Sequence, residues 1–277
     1  MVFYFWFLVL VMPDSPELTE LINLISKDEK LTAMFAPSFP IDFPFPEIVG
    51  KLKRVGFSYV VEVARGAVET NRQVVEDLKS NPKKRIITSP CPSCVRYIKA
   101  QRPELASFLS TADSPMRATA KLIKQKFPNT KPVFIGPCLT KKLEAQDHPE
   151  LDILVITFKE LAQLFDQLKI PDSTEDLIVH FDLLGPTTRL YPISGGLCQT
   201  AGIDELLAKD QWRMDSGLEL LKDALDDFSK NKELRVLDIL FCDGGCINGP
   251  GIISKDPLGT RRQKVIKFWV VHPSVKG

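Results

Sequence analysis

The stretch that decides the fold is Val236–Gly251, which reads VLDILFCDGGCINGPG. Its first six residues form a largely apolar run, which predicts a buried strand. Cys242 and Cys246 follow directly, in a turn that contains five glycines and prolines. Glycine lets the backbone adopt positive φ and approach a bulky group closely. Two thiols in such a turn suit an inorganic cluster, and they equally suit a zinc ion or two buried apolar cysteines.

Two further short apolar runs lead to a cysteine in the same way. Arg85–Thr88 leads to Cys91, which stands between two prolines, and Val133–Ile135 leads to Cys138. The chain therefore offers four thiols, enough to bind the four corners of a 4Fe-4S cluster. These are Cys91, Cys138, Cys242 and Cys246. Because they are dispersed along the chain, the fold has to bring them together.

Strands alternate with helices along most of the chain, which predicts an α/β protein with largely parallel sheets. The predicted strands are Leu31–Ala36, Tyr59–Val63, Arg85–Thr88, Val133–Ile135, Asp152–Ile156 and Val236–Phe241. The predicted helices are Pro16–Ile25, Phe45–Val55, Ala67–Lys79, Ser93–Ala100, Pro115–Lys126, Phe158–Leu168, Gly196 to about Leu207, and Ser216–Phe228. Residues 171–192 are the least regular part, and we expect a mobile loop there.

The three cysteine motifs, in this order, resemble the catalytic domain of the FeFe hydrogenases. The motifs of that family are written TSCCP, MPCxxKKxE and ExMACxGGCxxGGG. The corresponding segments here are Thr88–Pro92 (TSPCP), Gly136–Glu144 (GPCLTKKLE) and Asp238–Gly251 (DILFCDGGCINGPG). The likeness runs from about Leu31 to about Gly251. It implies an α/β fold of two lobes, each with a small twisted, mostly parallel sheet flanked by helices, and a cluster cleft between the lobes.

The resemblance also implies a cofactor, the H-cluster. This is a 4Fe-4S cluster joined to a di-iron subcluster with CO, cyanide and dithiolate ligands. By resemblance, Cys91, Cys138 and Cys242 would be ligands of the cube, and Cys246 would be both a ligand and the bridge to the di-iron unit. The reaction implied is the interconversion of H2 with two protons and two electrons.

Other residues match positions that surround the di-iron unit in the family. Lys141 stands where the family has a lysine that donates a charge-assisted hydrogen bond to a cyanide ligand. By resemblance, Lys141 and Cys246 would be the catalytic residues. Ala36, Pro37 and Ser38 match a loop that approaches the other cyanide, and Pro37 would stiffen its turn.

Several positions depart from the family pattern. Pro90 replaces the cysteine that hands protons to the cofactor, and Val74 is the best match for a glutamate further along that relay. Met116, Gly136 and Leu240 replace a glutamine and two methionines. The first motif without its extra cysteine is similar to that of the sensory-type hydrogenases of groups C and D. We therefore expect slow turnover, or a role in hydrogen sensing.

Several alternatives remain beside this reading. One is an iron–sulfur binding or assembly protein of the same superfamily that carries only a 4Fe-4S cluster, and another is a structural domain without a cluster. Cys91 and Cys94 form a CxxC motif, which is typical of a redox pair or a zinc ribbon. We do not favour either function here, because no second CxxC is present and the prolines argue against a thioredoxin-like helix start. We expect the Cys198 side chain to pack in the hydrophobic core and the Lys142 side chain to be exposed to solvent. We expect the Glu144 carboxylate to form an ion pair with a residue nearby in sequence.

Composition bounds the remaining expectations. The chain has 277 residues and a formal net charge of +1, which points to neither nucleic acid nor an anionic membrane surface. Four of its six cysteines lie in the motifs, which favours a reducing cytoplasm. The expected partners are a ferredoxin-like or other redox partner and maturation proteins, with H2 and protons as substrates.

We interpret residues 1–30 as an apolar extension with a lead-in helix, 31–253 as the two-lobed H-cluster domain, and 254–277 as a basic tail or truncated linker. Met1–Met12 is apolar throughout. A bilayer span needs about 20 such residues, so no stable membrane insertion is expected. A buried or interface segment, a start-site or truncation artefact and membrane contact all remain open for it.

Overall fold

The structure, a computed structural model, describes residues 15–272. Its seven strands within that range are β1 (Leu31–Phe35), β2 (Phe57–Glu62), β3 (Ile86–Ile87), β4 (Lys131–Gly136), β5 (Leu154–Thr157), β6 (Trp212–Ser216) and β7 (Val236–Leu240). Its helices there are α1 (Pro16–Ser26), α2 (Glu47–Val55), α3 (Ala64–Ser80), α4 (Pro92–Gln101), α5 (Pro115–Lys126), α6 (Thr140–Asp147), α7 (Phe158–Gln167), α8 (Gly196–Ala201), α9 (Ile203–Leu206), α10 (Leu218–Lys230) and α11 (Leu258–Val271).

The larger sheet has four strands in the order β2-β1-β4-β5, and every neighbouring pair is parallel. All five residues of its central strand β1 are buried. Strands covered by helices on both faces read as continuous apolar runs, and this is why β1 and β4 were predictable from sequence. The expectation of an α/β protein with parallel sheets flanked by helices is confirmed.

The smaller sheet has three parallel strands in the order β3-β7-β6. Its central strand β7 is fully buried, as the apolar run predicts. The sequence prediction missed β6, because this edge strand is half-exposed and carries Arg213 and Asp215 instead of an apolar pattern. Arg213 forms ion pairs with Asp215, Asp223 and Asp227, so its charge stabilises the edge next to α10.

Helix ends follow local sequence signals. The Ser114 side chain accepts a hydrogen bond from the Arg117 N–H, and Pro115 occupies the first helical position of α5, as predicted. Thr157 and Glu160 form a complete capping box at the start of α7. The helix predicted from Gly196 to about Leu207 is wrong as a single element, because Gly202 has a φ of 64° and separates α8 from α9.

The irregular stretch 171–192 contains only short 3-10 turns within the described range, but ion pairs hold it in place. Arg54 of α2 donates two hydrogen bonds to the carboxylate of Asp176, at 2.9 and 2.6 Å. Arg189 pairs with Glu62 at the end of β2, and both side chains are 3% exposed. The expected mobility of this loop stays a prediction.

The stretch interpreted as a basic tail contains the helix α11. Val265 and Phe268 of this helix are buried in the same core as the larger sheet. The ring of Phe268 contacts Phe39 at 4.9 Å and Phe45 at 5.2 Å between centroids. Helix α11 is therefore packed against the larger lobe, while the division of the chain at residue 253 stays an interpretation.

Met1–Met12 lies outside the described residues. Within residues 15–272, none of the helices combines the length and apolar character needed to cross a bilayer.

Candidate metal centre

A cavity opens where the carboxyl ends of both parallel sheets face each other, the usual ligand position in α/β folds. The segment Ala36–Ser38, directly after β1, lines it from the larger sheet, and Cys138 lines it after β4. From the smaller sheet come Pro90, after β3, and Leu240, the last residue of β7. Cys246 completes this rim, so all three cysteine motifs reach the same cavity.

The four motif cysteines lie close enough to influence one another electrically. Burial raises the pKa of Cys246 well above its usual value, and proximity to the thiols of Cys91, Cys138 and Cys242 raises it further. Burial, followed by Cys91 and Cys138, raises the pKa of Cys242 to about 11. Placing negative charge on all four thiols at once is therefore unfavourable without a cation, and iron supplies one.

Cys91 differs from the other three thiols. A hydrogen bond with the Cys94 thiol is the largest influence on it and lowers its pKa to about 6, against the effect of burial. The ammonium of Lys141 acts in the same direction. Cys91 is thus the thiol that is most easily deprotonated among the four.

Close backbone approach holds the turn after β7 against the other motifs. Gly245 has a φ of 103°, and a Cβ there would lie 2.4 Å from the Pro192 carbonyl oxygen. A Cβ on Gly249 would lie 2.6 Å from the Pro137 carbonyl oxygen, and Gly251 N–H donates to that same oxygen at 2.8 Å. Only glycine permits these contacts, which fix the turn beside Cys138.

The side chain of Lys141 is buried, and it lines the cavity. Its ammonium donates to Glu144 at 2.5 Å, to the Pro90 carbonyl at 3.2 Å and to the Ser114 hydroxyl at 3.3 Å. The expected local pairing of Glu144 is present. The Lys141 ammonium therefore lies beside the first cysteine motif, although it comes from the second.

Ser38 is fully buried and lines the cavity from the side of the larger sheet, three residues after the end of β1. Within residues 15–272, its hydroxyl oxygen has no hydrogen-bond partner. A buried hydroxyl without a partner costs about 1–3 kcal/mol, so such groups call for an explanation. A polar ligand in the cavity would provide one.

The residues that depart from the family pattern also surround this cavity. Pro90, Met116 and Leu240 line it. At Gly136 a Cβ would lie 2.6 Å from the ring of Phe134, so that ring fills the space beside the glycine. Val74, in contrast, is not among the lining residues; it is 1% exposed, in a buried cluster that also contains Tyr191 and Cys198, and its own side chain has no titratable group.

The two cysteines outside the set of four lie in the core. Cys94 is fully buried, with its thiol 3.6 Å from the Ile239 carbonyl. Cys198 is 1% exposed, and its backbone N–H donates to Asp238 at 3.4 Å. The prediction of a solvated Lys142 is wrong, because its ammonium bridges Glu17 and Glu160 at 2.8 and 2.6 Å.

Two further buried polar residues lie around the site, and the sequence assigned no role to either. Tyr191 lines the cavity and donates its hydroxyl to the Asn71 side chain at 2.8 Å. Asp238, within β7, accepts from the Thr88 hydroxyl at 2.8 Å and so joins the first and third motifs. Asp238 begins the third motif, at the position of the glutamate in the family pattern, but its bond to Thr88 joins residues 150 positions apart. The contact of Tyr191 with Asn71 likewise spans 120 positions, so neither partner could be read from the sequence.

Among residues 15–272, no three histidine, cysteine or acidic side chains converge on one point as a single ion requires. In a 4Fe-4S cube each thiolate binds a different iron, so its ligands need not converge in this way. The donor set of four thiols, together with buried polar groups beside it, fits such a cube.

Comparison with known proteins decides the family. A family model described as the iron only hydrogenase large subunit, C-terminal domain, matches residues 29–250. The chain belongs to this family. It is 26% identical over 280 residues to iron hydrogenase 1 of Clostridium pasteurianum, an alignment that covers 79% of this chain and 47% of the relative. The chain thus spans about half the length of the first curated relatives that it matches.

Other matches fall on both branches of the superfamily. A cytosolic Fe-S cluster assembly factor NAR1 of Eremothecium gossypii is 30% identical over 122 residues, which cover 42% of this chain and 27% of the relative. A variant of the [FeFe]-hydrogenase HydA1 from Chlamydomonas reinhardtii has the same fold, with a TM-score of 0.67 and 18% identity. That match covers 90% of this chain and 88% of the other.

Proposed function

We propose that this protein holds an H-cluster and interconverts H2 with two protons and two electrons, slowly, as suits a sensory hydrogenase of groups C and D. Cys91, Cys138, Cys242 and Cys246 would bind the 4Fe-4S cube, and Cys246 would also bridge to the di-iron subcluster with its CO, cyanide and dithiolate ligands. When bound, this cofactor would supply the redox chemistry of hydrogen. The protein would act in the cytoplasm with a ferredoxin-like redox partner, after loading by maturation proteins.

One observation carries this proposal beyond cube binding. The buried ammonium of Lys141 and the unpartnered hydroxyl of Ser38 line the same cavity as Cys138 and Cys246. A cube alone needs neither group. Anionic diatomic ligands need donors. The Ser38 hydroxyl is without a partner among the described residues, and the Lys141 ammonium would exchange one of its weaker partners, the Pro90 carbonyl at 3.2 Å or the Ser114 hydroxyl at 3.3 Å, for such a ligand.

The remaining cavity residues favour slow proton transfer. Pro90, Met116 and Leu240 line the same cavity as Cys246, and their side chains carry no titratable group. Proline has neither a titratable side chain nor a backbone N–H, so residue 90 cannot pass a proton to the cofactor. The buried valine at residue 74 offers no proton-accepting group either. Proton supply would then be the slow step.

A second candidate is an iron–sulfur assembly role with a cube and no di-iron unit. The similarity to NAR1 proteins over 42% of this chain supports it. That role leaves the buried hydroxyl of Ser38 without a ligand and gives the buried ammonium of Lys141 only its partners within the protein, and we therefore favour the hydrogenase.

Infrared spectroscopy separates the two candidates. We expect protein matured with the di-iron cofactor under anaerobic conditions to show bands of CO and cyanide, together with the electron paramagnetic resonance signal of a reduced cube. A normal cube signal without any such bands, after maturation that loads a reference hydrogenase, would favour the assembly role.

Single alanine substitutions test the ligand set. Alanine at Cys91, Cys138, Cys242 or Cys246 should each lower the bound iron and the cube signal of reconstituted protein. Cys198→Ala is the matched control, because this thiol is equally buried but is not one of the four. The ligand assignment is wrong if the four variants retain wild-type iron.

A further inference from the structure

The proposed function leaves one feature of the first motif without a role, namely the second cysteine of Cys91-Pro-Ser-Cys94. The sequence argument against a redox pair was that the prolines argue against a thioredoxin-like helix start. In the structure α4 begins at Pro92, with Cys91 as its N-cap. Cys94 is the third residue of that helix, so the segment is a CxxC at a helix start, the usual position of a redox-active pair.

The two cysteines lie close together. Both belong to one buried cluster, and each affects the pKa of the other thiol. As the N-cap and the third residue of α4 they share its first turn, where an N-cap side chain reaches the backbone N–H of the third residue. A disulfide needs Cβ atoms about 3.5–4.5 Å apart, so an adjustment of this turn would close the bridge.

We propose that Cys91 and Cys94 form a reversible disulfide in protein without a cluster, and that this modification withdraws Cys91 from cluster binding. With a peroxide as oxidant, Cys91 sulfur attacks one peroxide oxygen to give a sulfenic acid and releases water. The sulfur of Cys94 then attacks the sulfur of Cys91, and a second water leaves. The two thiols thereby lose two electrons and two hydrogens, which reduce one peroxide to two waters.

Access supports Cys91 as the thiol attacked first. Cys91 is 8% exposed, whereas Cys94 is fully buried, so a small oxidant meets Cys91 and the buried thiol resolves the product. Cys246 is the competing partner from another element. Its turn is held by the close approach of Gly245 to Pro192 and of Gly249 to Pro137, whereas Cys91 and Cys94 share one helical turn, and we therefore expect the pair within α4 to form first.

The disulfide itself does not depend on the proposed function, but its consequence for loading rests on Cys91 being a cube ligand. The two statements can be tested separately on the full chain.

Trypsin provides the first test, because cleavage after Arg85 and Arg96 releases both cysteines in one peptide, Ile86–Arg96. Cluster-free protein is treated with a stoichiometric amount of hydrogen peroxide, unfolded in the presence of iodoacetamide, digested and weighed. We expect this peptide to lose both alkylation adducts and to weigh two hydrogens less than the dithiol form. Dithiothreitol before alkylation should restore both adducts.

The variants Cys94→Ser and Cys198→Ser are the matched pair. Cys198→Ser should form the same internal disulfide as the wild type, whereas Cys94→Ser should give no internal bridge in this peptide. A wild-type peptide that stays fully alkylated while peroxide is consumed would overturn the proposal. So would a crosslink from Cys91 to the peptide that carries Cys246.

The second test measures loading. Protein with the mapped disulfide should take up less than a tenth of the iron bound by reduced protein, and dithiothreitol should restore uptake in full. Full iron uptake with the disulfide intact would overturn the withdrawal of Cys91 and its assignment as a cube ligand, while the mapped disulfide would stand.

Discussion

Lys141 and Lys142 are neighbours in sequence, but their ammonium groups lie in different environments. Lys141 points into the cavity and contacts Glu144, Ser114 and the Pro90 carbonyl. Lys142 points the other way and joins Glu17 of α1 to Glu160 of α7. Adjacent residues on a helix are about 100° apart, which is why one lysine faces the site and the other does not.

Substitution of Lys141 should affect the di-iron unit and spare the cube. In Lys141→Ala the cavity loses its only ammonium among the described lining residues, so we expect the CO and cyanide infrared bands to disappear while the cube signal remains. Lys142→Ala is the control, and it should keep those bands. Unchanged bands in the Lys141 variant would refute a role in holding the cofactor.

Pro90→Cys should speed hydrogen turnover if a thiol at this position restores proton delivery. A positioned general acid or base typically raises a reaction rate by about 10²–10⁴-fold. Because Val74 still offers no proton-accepting group further along the relay, we expect the turnover rate to rise by at most about 10²-fold. The rate of H2 oxidation by fully loaded protein measures this. The substitution also removes the fixed φ of proline, and Pro90→Ala has the same backbone change without a thiol. An equal gain in both variants would show that the backbone matters and the proton relay does not.

At the scale of elements, the start of helix α7 is stabilised by the carboxylate of Glu160, which several neighbouring residues hydrogen-bond. Burial acts to raise the pKa of Glu160, but hydrogen bonds from Lys142, Ser15 and Thr157 outweigh it and hold the pKa below the usual value. Because the folded-state pKa is lowered, this carboxylate stabilises the fold above the unfolded-state pKa, and the contribution is lost as pH falls through the folded-state pKa.

Glu160→Gln should therefore lower the free energy of unfolding by about 1–3 kcal/mol at neutral pH, since a charged partner of buried donors is lost. The difference from wild type should shrink as the pH falls below about 4, where the unfolded carboxyl becomes protonated. Urea unfolding at several pH values measures it. Glu233→Gln, at an exposed position, serves as the control. A pH-independent difference would argue against the charge as its cause.

Helix α11 should contribute to the stability of the larger lobe. The Phe268 ring packs on Phe39 and Phe45, and the Arg189 guanidinium lies 4.6 Å from its centre. Truncating a buried phenylalanine costs about 3–5 kcal/mol, so Phe268→Ala should lower the free energy of unfolding by that amount. Val270→Ala, on the exposed side of the same helix, should change it by less than about 0.5 kcal/mol. Equal, small effects would mean that α11 acts as a detachable tail.

At the scale of the whole molecule, the parts that sequence predicted are those with a local signal. Fully buried parallel strands such as β1 and β7 give apolar runs, and the Thr157 capping box gives a four-residue pattern. The three cysteine motifs each follow a strand, and parallel strands place their carboxyl ends together, so a shared cavity was predictable.

The parts that sequence missed depend on contacts between distant residues. Strand β6 is stabilised by ion pairs of Arg213 with a neighbouring helix, which no apolar pattern records. The environment of Lys142 depends on Glu17, which is 125 residues earlier in the chain. The thiol of Cys94 lies against the Ile239 carbonyl of β7, 145 residues later in the chain, which the CxxC spacing does not record.

The order of strands in the smaller sheet has a consequence for the newly made chain. Ile86 of β3 pairs with Val236 of β7, which leaves the ribosome 150 residues later. At about 5–20 residues per second, synthesis needs roughly 8–30 s to bring out the partner strand. During that interval β3 has no partner strand, and Cys91 and Cys94 lack the sheet that buries them in the folded protein. We therefore expect both thiols to be more accessible to oxidants in the nascent polypeptide than after folding.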